Sequence, residues 1–196
     1  MTMRHSWRLG VLAAIFSCGP ALPGPKAPGA DLKATKLQTY GMNLVQACTP
    51  TGPELCFNAI DDNCNGVIDE GCGSCTGLLQ FAIAWGDVPA DVDLIVTDPL
   101  GARVFEGNKG PTPSGLRLDQ DCPRDEGCKG QNVENVCFEG GEPPKGKYKV
   151  EVRLGELNGA KAPVEVRLGV RIGNRSMGAD LSLTKPEDSK SFTFEL

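Results

Sequence analysis

From Gly77 onward the chain alternates apolar and polar positions with a period of two. Phe81, Ile83 and Trp85 share one face. Tyr148, Val150, Val152 and Leu154 alternate with Lys147, Lys149, Glu151 and Arg153. Val164, Val166, Leu168, Val170 and Ile172 alternate with Glu165, Arg167 and Arg171, and Phe192, Phe194 and Leu196 with Thr193 and Glu195. A strand points successive side chains to opposite faces, so this pattern predicts strands with one buried and one wet face. Asp98-Pro99, Gly110-Pro111 and the run Pro143-Pro144-Lys145-Gly146 punctuate it as turns. No stretch of similar length shows the 3.6-residue period of a helix. About seven to nine short strands of this kind predict an all-β fold, an antiparallel β-sandwich over residues 77–196. A disulfide-knotted loop segment over 35–76 precedes it, in which residues 35–47 carry no pattern that assigns them to an element.

The N-terminus follows different rules. Arg4 and Arg8 lead into the apolar run Leu9 to Phe16, which is too short to cross a bilayer, since that takes about 20 residues. Residues 1–17 therefore read as a signal peptide. The segment ends Ile15-Phe16-Ser17-Cys18, which resembles a bacterial lipobox. The resemblance implies cleavage before Cys18, acylation of that cysteine and attachment to the membrane through an N-terminal lipid anchor. Gly19 after the cysteine implies an outer-membrane lipoprotein, on the periplasmic face or at the cell surface. Residues 18–34 hold four prolines and read as an extended tether that reaches roughly 50 Å at ~3.1 Å per residue.

Histidine and cysteine usage narrow the chemistry. The single histidine, His5, lies in the signal peptide. Without it, His-dependent nucleophile systems and His-ligated zinc or haem are excluded. Of the nine cysteines, eight remain once Cys18 is set aside: Cys48, Cys56, Cys64, Cys72, Cys75, Cys122, Cys128 and Cys137. An even set in an exported chain predicts four disulfides. Their pairing stays open, with one restriction. Five lie before residue 80 and three after residue 120, so at least one bridge must cross between the two groups.

Charge is uneven as well. Between Lys36 and Arg103 there is no Lys or Arg, but there are nine acids: Glu54, Asp61, Asp62, Asp69, Glu70, Asp87, Asp91, Asp93 and Asp98. Such a block is hydrated or binds cations, and nucleic acid is excluded as its partner.

Residues 54–72, ELCFNAIDDNCNGVIDEGC, carry the sharpest chemical signal. With Asp61 as position one, Asn63 and Asn65 stand at three and five, Gly66 at the sharp turn, the Val67 carbonyl at seven and Asp69 at nine. Hard cations such as calcium take six to eight oxygens, and alternate side chains of a tight loop converge to supply them. Position twelve is Cys72 rather than the bidentate Glu of an EF-hand, and Glu70 is the substitute. The candidate calcium ligands are Asp61, Asn63, Asn65, Val67, Asp69 and Glu70. The segment resembles the short Cys-rich, MopE-like metal-binding repeat of surface proteins in myxobacteria and other deltaproteobacteria. Cys56, Ile60, Asp61, Asp62, Asn63, Cys64, Gly66, Asp69, Glu70, Gly71 and Cys72 match it, while Phe57 and Ala59 depart from it. With no histidine and oxidised thiols, copper is disfavoured against calcium. The alternative is a disulfide knot whose Asp and Asn residues only cap turns.

Farther on, Trp85, the run Asp91-Val92-Asp93-Leu94-Ile95-Val96-Thr97-Asp98-Pro99, Asp119 and Asp121, Glu134-Asn135-Val136 and Pro143-Pro144-Lys145-Gly146-Lys147-Tyr148 follow in the order seen in a β-sandwich module of exported bacterial proteins. That resemblance implies fold and location more than activity. Asp91, Asp93, Asp119 and Asp121 form a candidate second metal site, or else cap turns at one end of the sandwich. Trp85, inside a strand pattern, reads as core rather than as a platform for sugars.

The layout is similar to small Cys-rich lipoproteins of the myxobacterial adventurous gliding-motility apparatus. This implies a non-enzymatic structural or adhesive component of an envelope assembly, with envelope proteins as partners. An extracellular module binding glycan or peptide is the alternative, and a carboxylate-dependent hydrolase a third reading.

Overall fold

The computed structural model describes residues 32–45, 48, 50, 52–126, 128 and 130–196. The expected signal peptide, the expected lipidation site Cys18 and the expected tether up to residue 31 lie outside them. Ten strands occur among the described residues, and no helix: β1 (Thr35–Tyr40), β2 (Leu79–Trp85), β3 (Asp91–Thr97), β4 (Arg103–Val104), β5 (Leu116–Asp121), β6 (Val133–Phe138), β7 (Lys147–Glu156), β8 (Val164–Ile172), β9 (Arg175–Leu183) and β10 (Ser189–Glu195). They form two five-stranded antiparallel sheets, ordered β1-β10-β7-β3-β4 and β5-β6-β2-β8-β9. The fold is the expected β-sandwich.

The alternation seen in the sequence builds the core between the sheets. Phe81, Ile83 and Trp85 of β2 meet Val92, Leu94 and Val96 of β3, Tyr148 to Leu154 of β7 and Phe192 and Phe194 of β10. Tyr148 stacks on Phe194 at 5.1 Å between ring centroids, and Phe81 reaches Phe192 and Phe194 from the opposite sheet at 6.3 and 6.1 Å. The Tyr148 hydroxyl donates to the Pro144 carbonyl at 2.8 Å, which ties the Pro-Pro turn to the core. Burial, with the Asp98 carboxylate adding to it, pushes that phenol up to about 12. Trp85 belongs to the core, its Nε1 donating to the Ala90 carbonyl at 3.0 Å.

Two features depart from the expected pattern. Residues 35–40 are a strand of the sandwich, paired with β10, so the sandwich does not begin at residue 77. Leu32 and Ala34, at the end of the expected tether, already pack against the core. All six residues of β1 are exposed, which is why no buried face marked them in the sequence.

The second departure is that β2 is buried on both faces. Its outward residues, Gln80, Ala82 and Ala84, lie beneath the Cys-rich segment, and Ala82 and Ala84 form a small second core with Ala59 and Ile68. Small residues make room for this contact. A Cβ on Gly169 of β8 would stand 2.4 Å from the Ala59 carbonyl oxygen, closer than carbon and oxygen can approach.

Candidate metal centre

Disulfides set the frame of the acidic loop. Cys48 pairs with Cys64 and Cys56 with Cys72, two interleaved bridges of sequence separation 16. Cys75 pairs with Cys137 across the required gap, and Cys122 with Cys128. All eight cysteines among the described residues are paired. Cys75, Cys137 and Glu139 bring ligand-type atoms within 4.8 Å of one another, but both sulfurs are spent in a bridge, and a metal needs the thiolate.

Buried amides bind this frame to the sheet. Gln80, fully buried on β2, donates from Nε2 to the Ile68 carbonyl at 2.9 Å and to Asn135 Oδ1 at 3.2 Å, and accepts the Ile68 N–H at 3.4 Å. Asn135 of β6 donates in turn to the Cys75 carbonyl at 2.9 Å. Gly66, at φ +87°, makes the expected sharp turn, and a Cβ there would stand 3.0 Å from the Asn174 carbonyl oxygen. The acidic loop is thereby pressed onto the β8–β9 hairpin.

Within the loop the expected ligands fall into two groups. Asp61, Asn63, Asn65 and Glu70 come together. Asp61 is buried; its Oδ1 accepts the Asn65 N–H at 3.0 Å, and its Oδ2 accepts the Gly66 N–H at 2.9 Å and the Ser176 hydroxyl at 2.7 Å. Asn63 Oδ1 accepts the Asn65 N–H at 3.0 Å, and Asn65 Oδ1 the Val67 N–H at 2.8 Å. Both amide Nδ2 groups point at Oε1 of Glu70. The other oxygen, Oε2 of Glu70, is buried with no hydrogen-bond partner.

Asp69 faces elsewhere. Its Oδ1 accepts the Asn58 N–H and its Oδ2 the Ala59 N–H, each at 3.2 Å. It pins the turn beneath Ile68, and burial raises its carboxyl above the ordinary range despite those donors. Position nine of the calcium pattern therefore serves the disulfide knot.

Three participants were not among the expected ligands. Glu54 accepts the Asp69 N–H at 2.8 Å through Oε1 and the Asp62 N–H at 3.2 Å through Oε2. Burial, with the Glu70 charge next, pushes its carboxyl up to about 7. Ser176 and Arg171 come from the distant β8–β9 hairpin. The Arg171 guanidinium is lowered by burial, against the pull of Asp61 and Glu70. A shallow depression of about 350 Å³, lined by Asp61, Gly66, Asn174 and Ser176 among others, opens beside Asp61.

This donor set fits a hard cation. The two amides converge on Glu70 through their Nδ2 groups, and the unpartnered buried oxygen of Glu70 is costly unless something positive meets it. Turning each Asn side chain to present its oxygen to a cation breaks its bond to the backbone, at about 1 kcal/mol each.

The second candidate site is only partly assembled. Asp91, Asp93 and Asp121 all act electrostatically on Glu134, which was not among the expected ligands. Asp119 stands apart, its Oδ1 2.9 Å from Arg117 and its Oδ2 accepting the Cys75 N–H at 2.6 Å. The other three already have cationic partners: Arg124 on Asp91, Arg153 on Asp93 at 3.1 Å and Lys109 on Asp121 at 3.1 Å.

No protein-family model, curated protein or solved structure matches this chain.

Proposed function

We propose that the chain is an exported, lipid-anchored envelope protein that works by interaction, as a structural or adhesive part of a cell-envelope assembly such as a gliding-motility apparatus. The acidic loop binds calcium through Asp61, Asn63, Asn65, Glu70 and the Val67 carbonyl, and the ion stiffens the loop against the β8–β9 hairpin. The observation that carries this reading is the stapled acidic loop across the β2–β8 face: three disulfides, of a kind that persists in oxidising compartments, hold a set of carboxylates and amides on the sheet. Calcium crosslinks the loop, the anchor sets location, and the outward surface of the sandwich docks on envelope proteins.

Intact mass of the protein isolated from its native envelope tests export and anchoring together. The reading expects a chain beginning at acylated Cys18, and a gain of eight hydrogens on reduction of the four bridges. A chain that begins at Met1, or one that already carries free thiols, overturns it. Crosslinking in the same envelopes is expected to capture protein partners, and a captured set unchanged by deleting residues 77–196 contradicts the docking role.

A further inference from the structure

Phe57 stands in a conformation that its size does not favour. Its φ is +65°, in the left-handed region that glycine and asparagine tolerate and a bulky side chain rarely enters. The Cys56–Cys72 bridge beside it and the Asp69 carboxylate, which accepts the neighbouring Asn58 N–H at 3.2 Å, hold the backbone there. Ala59 shares the conformation, at φ +56°, and its reason is packing: it is 1% exposed, in the small core with Ile68, Ala82 and Ala84. Phe57 has no such reason. It is half-buried and belongs to neither core. Backbone strain that packing does not offset is characteristic of positions held for function.

Phe57 lines two hollows at once. One, of about 520 Å³, is also walled by Asp119, Gln120, Asp125 and Gln131. The other, of about 500 Å³, is walled by Asn58, Trp85, Glu165, Arg167 and Asp180. Their polar groups are fixed in place. Arg167 Nη1 donates to its register partner Asp180 at 2.8 Å, and the Ser182 hydroxyl to Glu165 at 2.9 Å. Gly178 leaves room for that guanidinium, since a Cβ there would stand 2.5 Å from Arg167 Nη2. In the first hollow Asp119 pairs with Arg117 at 2.9 Å, Asp125 pairs with Lys109, and Gln120 accepts the Ser74 hydroxyl at 3.0 Å.

We propose that Phe57 is the platform of a glycan-binding groove that runs through both hollows and takes a chain of uncharged sugars. A pyranose ring is apolar on its C–H face and polar at its rim. The face stacks on an aromatic ring, and adjacent hydroxyls, each both donor and acceptor, match carboxylates, carboxamides and a guanidinium set side by side. Two hollows that share one ring suit an oligomer lying across it. The walls set the charge: four acids, Asp119, Asp125, Glu165 and Asp180, stand against one cation, Arg167, which disfavours an acidic polysaccharide. An extended peptide would need a free strand edge, and β6 and β8, which run beneath the hollows, are each paired on both sides.

Amide shifts of the isotope-labelled, oxidised protein test this. Cellohexaose, maltohexaose and chitohexaose are the neutral probes, hexagalacturonate the acidic one, and a random hexapeptide mixture the peptide control. The expected result is saturable binding of at least one neutral hexamer, with shifts at Asn58, Gly86, Gln120 and Arg167, and weaker or no binding of hexagalacturonate and peptides. Phe57→Ala should weaken that binding about tenfold, the contribution of an aromatic contact. Phe57→Asn separates function from folding: asparagine tolerates the left-handed backbone, so this variant should melt no lower than the wild type and yet lose binding. The proposal is overturned by the absence of saturable binding of any neutral hexamer, or by tighter binding of hexagalacturonate or peptides. Binding undiminished in Phe57→Asn, or a lower melting temperature in that variant, overturns it as well.

Discussion

Removing the Cys75–Cys137 bridge should cost more than removing any other. In the chain-entropy account a disulfide restricts the unfolded chain by an amount that grows with the logarithm of the loop it closes. The sequence separation is 62 for Cys75–Cys137 and 6 for Cys122–Cys128, which corresponds to about 4.3 and about 2.4 kcal/mol at 25 °C. The two interleaved bridges, at separation 16, fall between them at about 3.1 kcal/mol. The longer bridge also fastens the Cys-rich segment to β6, where Asn135 holds the Cys75 carbonyl. The perturbation is the double substitution Cys75→Ala/Cys137→Ala, set beside Cys122→Ala/Cys128→Ala, with alanine chosen because Cys137 is fully buried. Urea unfolding of each oxidised protein reads the free energies, and with slopes of about 1–3 kcal/mol per molar a difference of about 2 kcal/mol is well resolved. Equal losses, or a larger loss from the short loop, would refute the reasoning: the bridges would then act through native packing, and the amides of Gln80 and Asn135 would suffice to hold the segment.

Gly169→Ala should destabilise by about 1–3 kcal/mol, the range for overpacking, because its Cβ meets the Ala59 carbonyl. A strand glycine without such a neighbour gains about 0.5–1 kcal/mol on the same change, and Gly141→Ala, with nothing near its Cβ, should be close to neutral in the same urea assay. Glu54 gives a pH dependence of known sign. Its folded value, about 7, lies above the unfolded 4.5, so its contribution is complete below about 4.5 and lost as pH climbs through about 7. In chelator the melting temperature should fall between pH 5 and pH 8 and fall less in Glu54→Gln; identical slopes contradict the assignment.

The strands were legible because period two is written locally. Tyr148 to Leu154 and Val164 to Ile172 each show it without reference to a partner, and both are strands with the expected faces inward. The crossing bridge followed from the parity of the cysteines, whereas the 48–64 and 56–72 pairings depend on how the loop turns and were open. Strand β1 was missed because all of its side chains are exposed, and the two-sided burial of β2 because its cover, Ile68 and Ala59, comes from another segment. At the site, Asp61, Asn63, Asn65 and Glu70 were readable from spacing. Asp69 matched the spacing and serves another purpose, since spacing does not say which way a carboxylate turns. Ser176 and the opposition of Asp121 to Glu134 arise from pairing and packing across long stretches of chain, which no local pattern reports.

Calcium titration of the oxidised protein, read by melting temperature, tests the central claim most directly. With a dissociation constant of about 10⁻⁴–10⁻³ M, about 10 mM calcium stabilises the folded state by about 1.4–2.7 kcal/mol, a rise of roughly 3–10 °C for a chain of this size. The account predicts that rise in the wild type and its loss in Glu70→Gln, which keeps the shape of the side chain and removes its charge. No rise at that concentration, or the same rise in Glu70→Gln, would contradict it.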